Sequence, residues 1–118
     1  MKGFPADHEL IGFFESEPAL LDPDVPWPYN TLDFATSRDG IEVRARLAPS
    51  YRELTLRLML NGGEFASFDL KDAEAFQILT DHQREALVVT FEAKRCLAEF
   101  VLELKPRVRV SWGNRQFP

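Results

Sequence analysis

The sequence predicts a mainly β protein: an antiparallel meander forming a β-sandwich or strongly curved sheet of seven or eight strands, with one short N-terminal helix. Three observations carry this. From residue 31 onward, apolar residues recur at every second position. Asp39-Gly40 and Asn61-Gly62-Gly63 interrupt those runs with hairpin signals. The chain has 118 residues and 45% hydrophobic content, enough for one core. The expected organisation is a single domain spanning 1–118, with residues 1–30 as helix plus acidic, proline-rich cover and residues 31–118 as the antiparallel β body.

In the helix, Leu10, Ile11, Phe13 and Phe14 form one apolar stripe, Asp7 stands as the expected N-cap, and Pro18 closes the segment. Pro18, Pro23, Pro26 and Pro28 then fix φ and remove donors, which predicts a loop or extended cover over residues 17–29. Placing Asp39-Gly40 at a hairpin tip sets Leu32 opposite Leu47, Phe34 opposite Ala45 and Asp33 opposite Arg46, so both faces agree with one register. Pro49-Ser50 predicts the next reversal, with Val43 against Leu56, Arg46 against Glu53 and Glu42 against Arg57. At Asn61-Gly62-Gly63 a three-residue loop with a left-handed glycine pairs Leu58 with Ala66 and Leu56 with Phe68.

Residues 72–81 read in two ways. Phe76 and Ile78 suit a strand, and Asp72-Ala73-Glu74-Ala75 suits a helical turn; the strand is preferred. Leu87, Val89 and Phe91 are expected to face Phe100, Ala98 and Cys96 across a turn at residues 92–95. Even positions from Cys96 to Trp112 are apolar over a run too long for one strand, which predicts a bend or change of sheet at Pro106.

Charge is unevenly placed. Of 14 basic and 19 acidic residues, residues 1–30 hold one base and six acids, so the whole net charge of -5 lies there and residues 31–118 balance. This argues against nucleic acid, which requires a basic footprint, and favours a basic protein partner or a solvated acidic end. The lone Cys96 excludes an internal disulfide and, on the apolar parity of its strand, is expected to be a buried thiol. Met1-Lys2-Gly3-Phe4-Pro5 leads into no apolar leader segment, and no run reaches the roughly 18 apolar residues of a membrane helix, so a cytoplasmic location is expected.

Catalytic and metal chemistry find little footing. His8 and His82 each sit beside an acid but without a nucleophile in a strained turn, and both are expected at the surface. No paired His or Cys spacing suggests zinc; Asp22-Pro23-Asp24 lacks the alternating oxygens of a calcium loop; Gly62-Gly63 opens no helix that would hold phosphate. No cofactor and no metal are implied. The candidate partner-binding set is therefore Glu15, Glu17, Asp22, Asp24, Trp27 and Tyr29: carboxylates with two large aromatics, which serve either as contact anchors or as a lid on the core. Trp112 is expected in the core. The outward meander face, with Asp33, Glu42, Arg44, Arg46, Glu53 and Arg57 in alternating sign, sets register and solubility or offers a second partner surface.

The short apolar helix, acidic proline-rich segment, hairpin meander and closing run Leu102-Glu103-Leu104-Lys105-Pro106-Arg107-Val108-Arg109-Val110 resemble small β-rich bacterial proteins, some of them immunity proteins that neutralise toxins of neighbouring cells. The resemblance implies a non-enzymatic cytoplasmic binder that occludes a basic toxin surface with acidic and aromatic side chains. The alternative is a carrier whose curved sheet encloses a small apolar ligand, which needs a cavity of roughly 300 Å³ or more. An unrecognised hydrolase ranks below both.

Overall fold

The computed structural model describes residues 3–92, 94 and 97–112. Among the described residues helix α1 (Asp7–Phe14) comes first, and nine strands follow: β1 (Ala19–Leu20), β2 (Leu32–Arg38), β3 (Ile41–Ala48), β4 (Glu53–Leu60), β5 (Gly63–Leu70), β6 (Ala75–Asp81), β7 (Arg84–Thr90), β8 (Phe100–Lys105) and β9 (Arg109–Ser111). They form two antiparallel sheets, β1-β2-β3-β4-β5 and β6-β7-β8-β9. The count exceeds the expected seven or eight because of the very short β1 and β9.

The apolar parity of β2 to β8 faces a shared core. Leu32, Phe34, Val43, Leu47, Leu54 and Leu56 of the first sheet join Phe76, Leu87, Val89, Phe100 and Leu102 of the second, all nearly inaccessible to solvent. Phe68 meets Phe100 edge-on across the sheets at 5.2 Å. Helix α1 adds Leu10, Phe13 and Phe14, and Phe14 stacks on Phe34 at 4.7 Å. Full burial of such side chains stabilises by roughly 1.5–3 kcal/mol each, so the helix is held by packing rather than by its own propensity.

The helix begins one residue earlier than its sequence suggests. Ala6, not Asp7, is the N-cap, and its N–H donates to the Glu9 carboxylate at 3.0 Å. It stops at Phe14 because Glu15 turns left-handed (φ 54), three residues before Pro18. The following cover is not wholly irregular: β1 pairs with β2, and Trp27–Tyr29 form a 3-10 turn.

The β2–β3 register is as read from the Asp39-Gly40 tip, including Leu32 opposite Leu47, Phe34 opposite Ala45 and Asp33 opposite Arg46. The β3–β4 register is displaced by two residues from expectation: Val43 faces Leu58, Glu42 faces Met59 and Arg46 faces Thr55. A 3-10 turn at Pro49–Tyr51 with Arg52 left-handed (φ 55) takes up more chain than the assumed Pro49-Ser50 turn. In β4–β5 the expected pairs Leu58–Ala66 and Leu56–Phe68 are present, but by another route. Asn61 (φ 54) and Gly62 (φ 80) make a two-residue turn, and Phe65 is the extra residue of a bulge that restores the parity.

Residues 72–81 resolve as strand from Ala75 onward. The β7–β8 register is again displaced by two, with Leu87 facing Leu102 and Val89 facing Phe100. At Pro106 the chain neither bends onward nor changes sheet; it reverses, and β9 pairs back on β8. Trp112 is only partly covered: it packs on Phe91 and Phe100 at 6.1 and 5.8 Å and donates its indole N–H to the Ala98 carbonyl at 3.1 Å. The expected burial of Cys96 lies outside the described residues.

Candidate functional site

The candidate residues separate by what they touch. Glu15 closes a charge cluster at the junction of helix and sheets, with its carboxylate 3.2 Å from Arg38 at the end of β2 and 2.8 Å from Lys105 at the end of β8. Lys105 also lies 2.8 Å from Glu85. The hydrogen bond from Lys105, with the charge of Arg38 behind it, holds the Glu15 carboxyl below its ordinary value of 4.5. The hydrogen bonds to Glu15 and Glu85 hold the Lys105 ammonium above its ordinary 10.5. Glu15 thus has cationic partners within the fold. Trp27 is half-buried, 6.1 Å from the Phe4 ring and packed against the core, while Phe4 continues the stack to Phe76 at 4.8 Å.

Glu17, Asp22, Asp24 and Tyr29 are exposed, and Tyr29 retains 70% of its surface. Among the described residues none of these carboxylates has an ion pair; the Asp22 side chain accepts only the Asp24 N–H, at 3.1 Å. The loop bearing Asp22, Asp24, Trp27 and Tyr29 is shaped by Asn30, which is 5% exposed. The Asn30 side-chain oxygen accepts the N–H groups of Asp22 (3.2 Å) and Thr31 (2.8 Å), and its amide donates to the carbonyls of Asp22 (2.6 Å) and Val25 (2.9 Å). Every hydrogen-bonding position of that side chain is used, as burial of a primary amide demands.

Two surface residues escaped the sequence reading. Tyr51 is 72% exposed, and the turn it ends lies beside the Trp27–Tyr29 turn; Leu21, 71% exposed, stands next to Asp22. The sequence signal for Tyr51 is faint: an aromatic within Pro49-Ser50-Tyr51, at a hairpin turn and outside any alternating run.

The outward face of the first sheet is concave, with an open depression of about 610 Å³ bounded by Ala19, Asp33, Arg44, Arg46, Arg57 and Asp69. Arg46 grips Asp33 with two hydrogen bonds of 2.7 and 3.0 Å, which raises the guanidinium pKa further. Arg44 and Arg57 face each other across β3–β4 and are relieved by Glu42 (3.3 Å) and Glu64 (3.6 Å). A second open depression, about 350 Å³, lies beside Leu70, Phe91 and Trp112. Both depressions are open to solvent, unlike the enclosed cavity a carrier needs.

His8 and His82 lie at the surface, 4.0 Å from Asp7 and 3.4 Å from Asp81. Among the described residues no group of three or more His, Cys, Asp or Glu side chains converges, and no helix is long and apolar enough to cross a membrane.

Compared with solved structures, the chain resembles a chain of a "Contact-dependent growth inhibition toxin - immunity protein complex from Klebsiella pneumoniae 342", with a TM-score of 0.80 and 18% identity over 94% of this chain and 95% of that chain. The two share a fold. No protein-family model matches the chain, and no curated protein matches it by sequence. The resemblance covers nearly the whole of both chains.

Proposed function

We propose that this chain is a non-enzymatic protein-binding module of the immunity type, which acts in the cytoplasm by covering a basic surface of a toxin. The observation that carries the reading is the near full-length correspondence with a chain drawn from a toxin–immunity complex. The charge distribution supports the immunity side of such a pair. The acidic excess sits in residues 1–30, where the exposed Glu17, Asp22 and Asp24 stand without cationic partners among the described residues. Unpaired surface carboxylates attract a cationic partner and speed encounter with it. A protein of this charge is poorly suited to act on nucleic acid itself.

The test is genetic and then physical. Proteins encoded beside this chain's gene are expressed singly, and any that arrests growth is co-expressed with the chain. Restored growth and co-elution of the two in size-exclusion chromatography are expected. Absence of both rescue and complex overturns the reading, and growth arrest caused by this chain alone assigns it to the toxin side.

A further inference from the structure

Tyr29 and Tyr51 are far apart in sequence, yet each ends a 3-10 turn, the two turns lie side by side, and the rings are 70% and 72% exposed. The backbone beneath them is fixed. Pro26, Pro28 and Pro49 set φ, and the N–H groups of Tyr29, Asn30 and Arg52 close the turns on the carbonyls of Pro26, Trp27 and Pro49 at 3.0–3.1 Å. Below the first turn, the buried Asn30 side chain uses all its hydrogen-bonding capacity. Arg52, the neighbouring cation, directs its guanidinium to the Glu74 carbonyl at 2.7 Å.

Large aromatic area held rigidly in water contributes nothing to the fold, but it lowers the ordering cost of an encounter. The carboxylates of Asp22 and Asp24 project from the same Asn30-bound loop, and Leu21 beside them is 71% exposed. Exposed aromatic faces together with carboxylates on the adjoining loop match a guanidinium, which stacks on a ring through its plane and donates to carboxylate through its edge. Lysine, a compact ammonium, satisfies the second requirement and only part of the first.

We infer that Leu21, Asp22, Asp24, Tyr29 and Tyr51 form a protein-docking surface whose occupant is an arginine-bearing segment of the partner, held by stacking on the tyrosines and by the flanking carboxylates. The inference rests on the protein-binding reading and locates its site, with Tyr51 as a member that charge alone does not reveal.

The test uses acetylated octa-arginine and octa-lysine as probes of the full chain, followed by ¹⁵N and aromatic NMR. Octa-arginine is expected to shift the signals of Asp22, Asp24, Tyr29 and Tyr51 and to bind at least about fivefold tighter than octa-lysine. In the double variant Tyr29→Ser, Tyr51→Ser that preference is expected to vanish while residual charge-driven binding persists. Equal affinity for the two peptides, shifts centred elsewhere, or an unchanged preference in the double variant overturns the surface. The growth assay separates this from the wider reading. Rescue by wild type and equally by the double variant refutes the surface and leaves the immunity reading standing; no rescue by wild type refutes the immunity reading, while the peptide titration still decides the surface.

Discussion

Asn30 and Trp27 show how a segment with little regular structure is kept in one shape. Asn30 satisfies four backbone groups from a nearly inaccessible position, so Asn30→Ala leaves neighbouring loop groups to find water. The expected loss is about 2 kcal/mol in urea denaturation, with faster hydrogen exchange at Asp22 and Thr31. Asn30→Asp is expected to be at least as damaging near neutral pH, because a carboxylate turns acceptors toward the carbonyls of Asp22 and Val25. The adjacent aromatics separate cleanly. Trp27 packs against Phe4 and the core, so Trp27→Ala is expected to cost about 2 kcal/mol, whereas Tyr29→Ser should change stability by less than about 0.5 kcal/mol. Equal losses at the two positions contradict the division between lid and exposed anchor.

Turns determine how the elements pair. Gly62 sits at φ 80, where any Cβ is strained, while Gly63 lies outside the left-handed region and a Cβ there meets only the Leu60 carbonyl, at 3.6 Å. Gly62→Val is therefore expected to cost about 1 kcal/mol or more and Gly63→Val little, a contrast readable in urea midpoints. The same physics separates what was legible in the sequence from what was not. Alternation has a period of two, so sliding one strand by two residues returns every side chain to its face; the pattern establishes parity and leaves register to the loop. Asp39-Gly40 admits one tight tip, and the β2–β3 register followed from it. Pro49-Ser50 suggested an equally short reversal, but the 3-10 turn ending at Tyr51 and the left-handed Arg52 consume more chain, and the register moved by two with the parity of both strands unchanged. At Asn61-Gly62 the pairs deep in the strands were legible because a shorter turn and the Phe65 bulge offset each other. In the candidate site, the acidic and aromatic character was legible from composition. The engagement of Glu15 was not, since Arg38 and Lys105 reach it from remote strand ends, and neither was Tyr51, which only the fold brings beside the first turn.

Across the whole molecule, charge acts in two distinct places, and pH and salt tell them apart. The Glu15–Lys105 contact joins the helix end to the second sheet. Glu15 binds its proton less tightly folded than unfolded, so its contribution is fully present above about pH 4.5 and fades as pH falls through the lower folded value; Lys105, shifted upward, contributes below about pH 10.5 and loses that as pH rises past its folded value. Glu15→Gln is accordingly expected to lower the melting temperature near pH 7, with the difference from wild type closing in strong acid, narrowing in strong base to what Arg38 sustains, and shrinking with salt. Among the described residues Glu17, Asp22 and Asp24 have no such partners, and their long-range field is directed outward. Residues 31–118 balance, and association with a basic partner must draw its steering mainly from this segment. Replacing the three by Gln, Asn and Asn should slow association with the partner identified by growth rescue by about tenfold at low ionic strength and far less at high salt, with stability unchanged. Tyr29→Ser with Tyr51→Ser should leave association nearly intact and raise the dissociation rate by about 10- to 30-fold, because stacking forms only after docking. Surface plasmon resonance at two salt concentrations reads both effects. If the carboxylate variants alter only dissociation, or the tyrosine variants only association, the acidic segment does not steer the encounter and the turns do not anchor it; the concave arginine-lined face of the first sheet is then the next surface to vary.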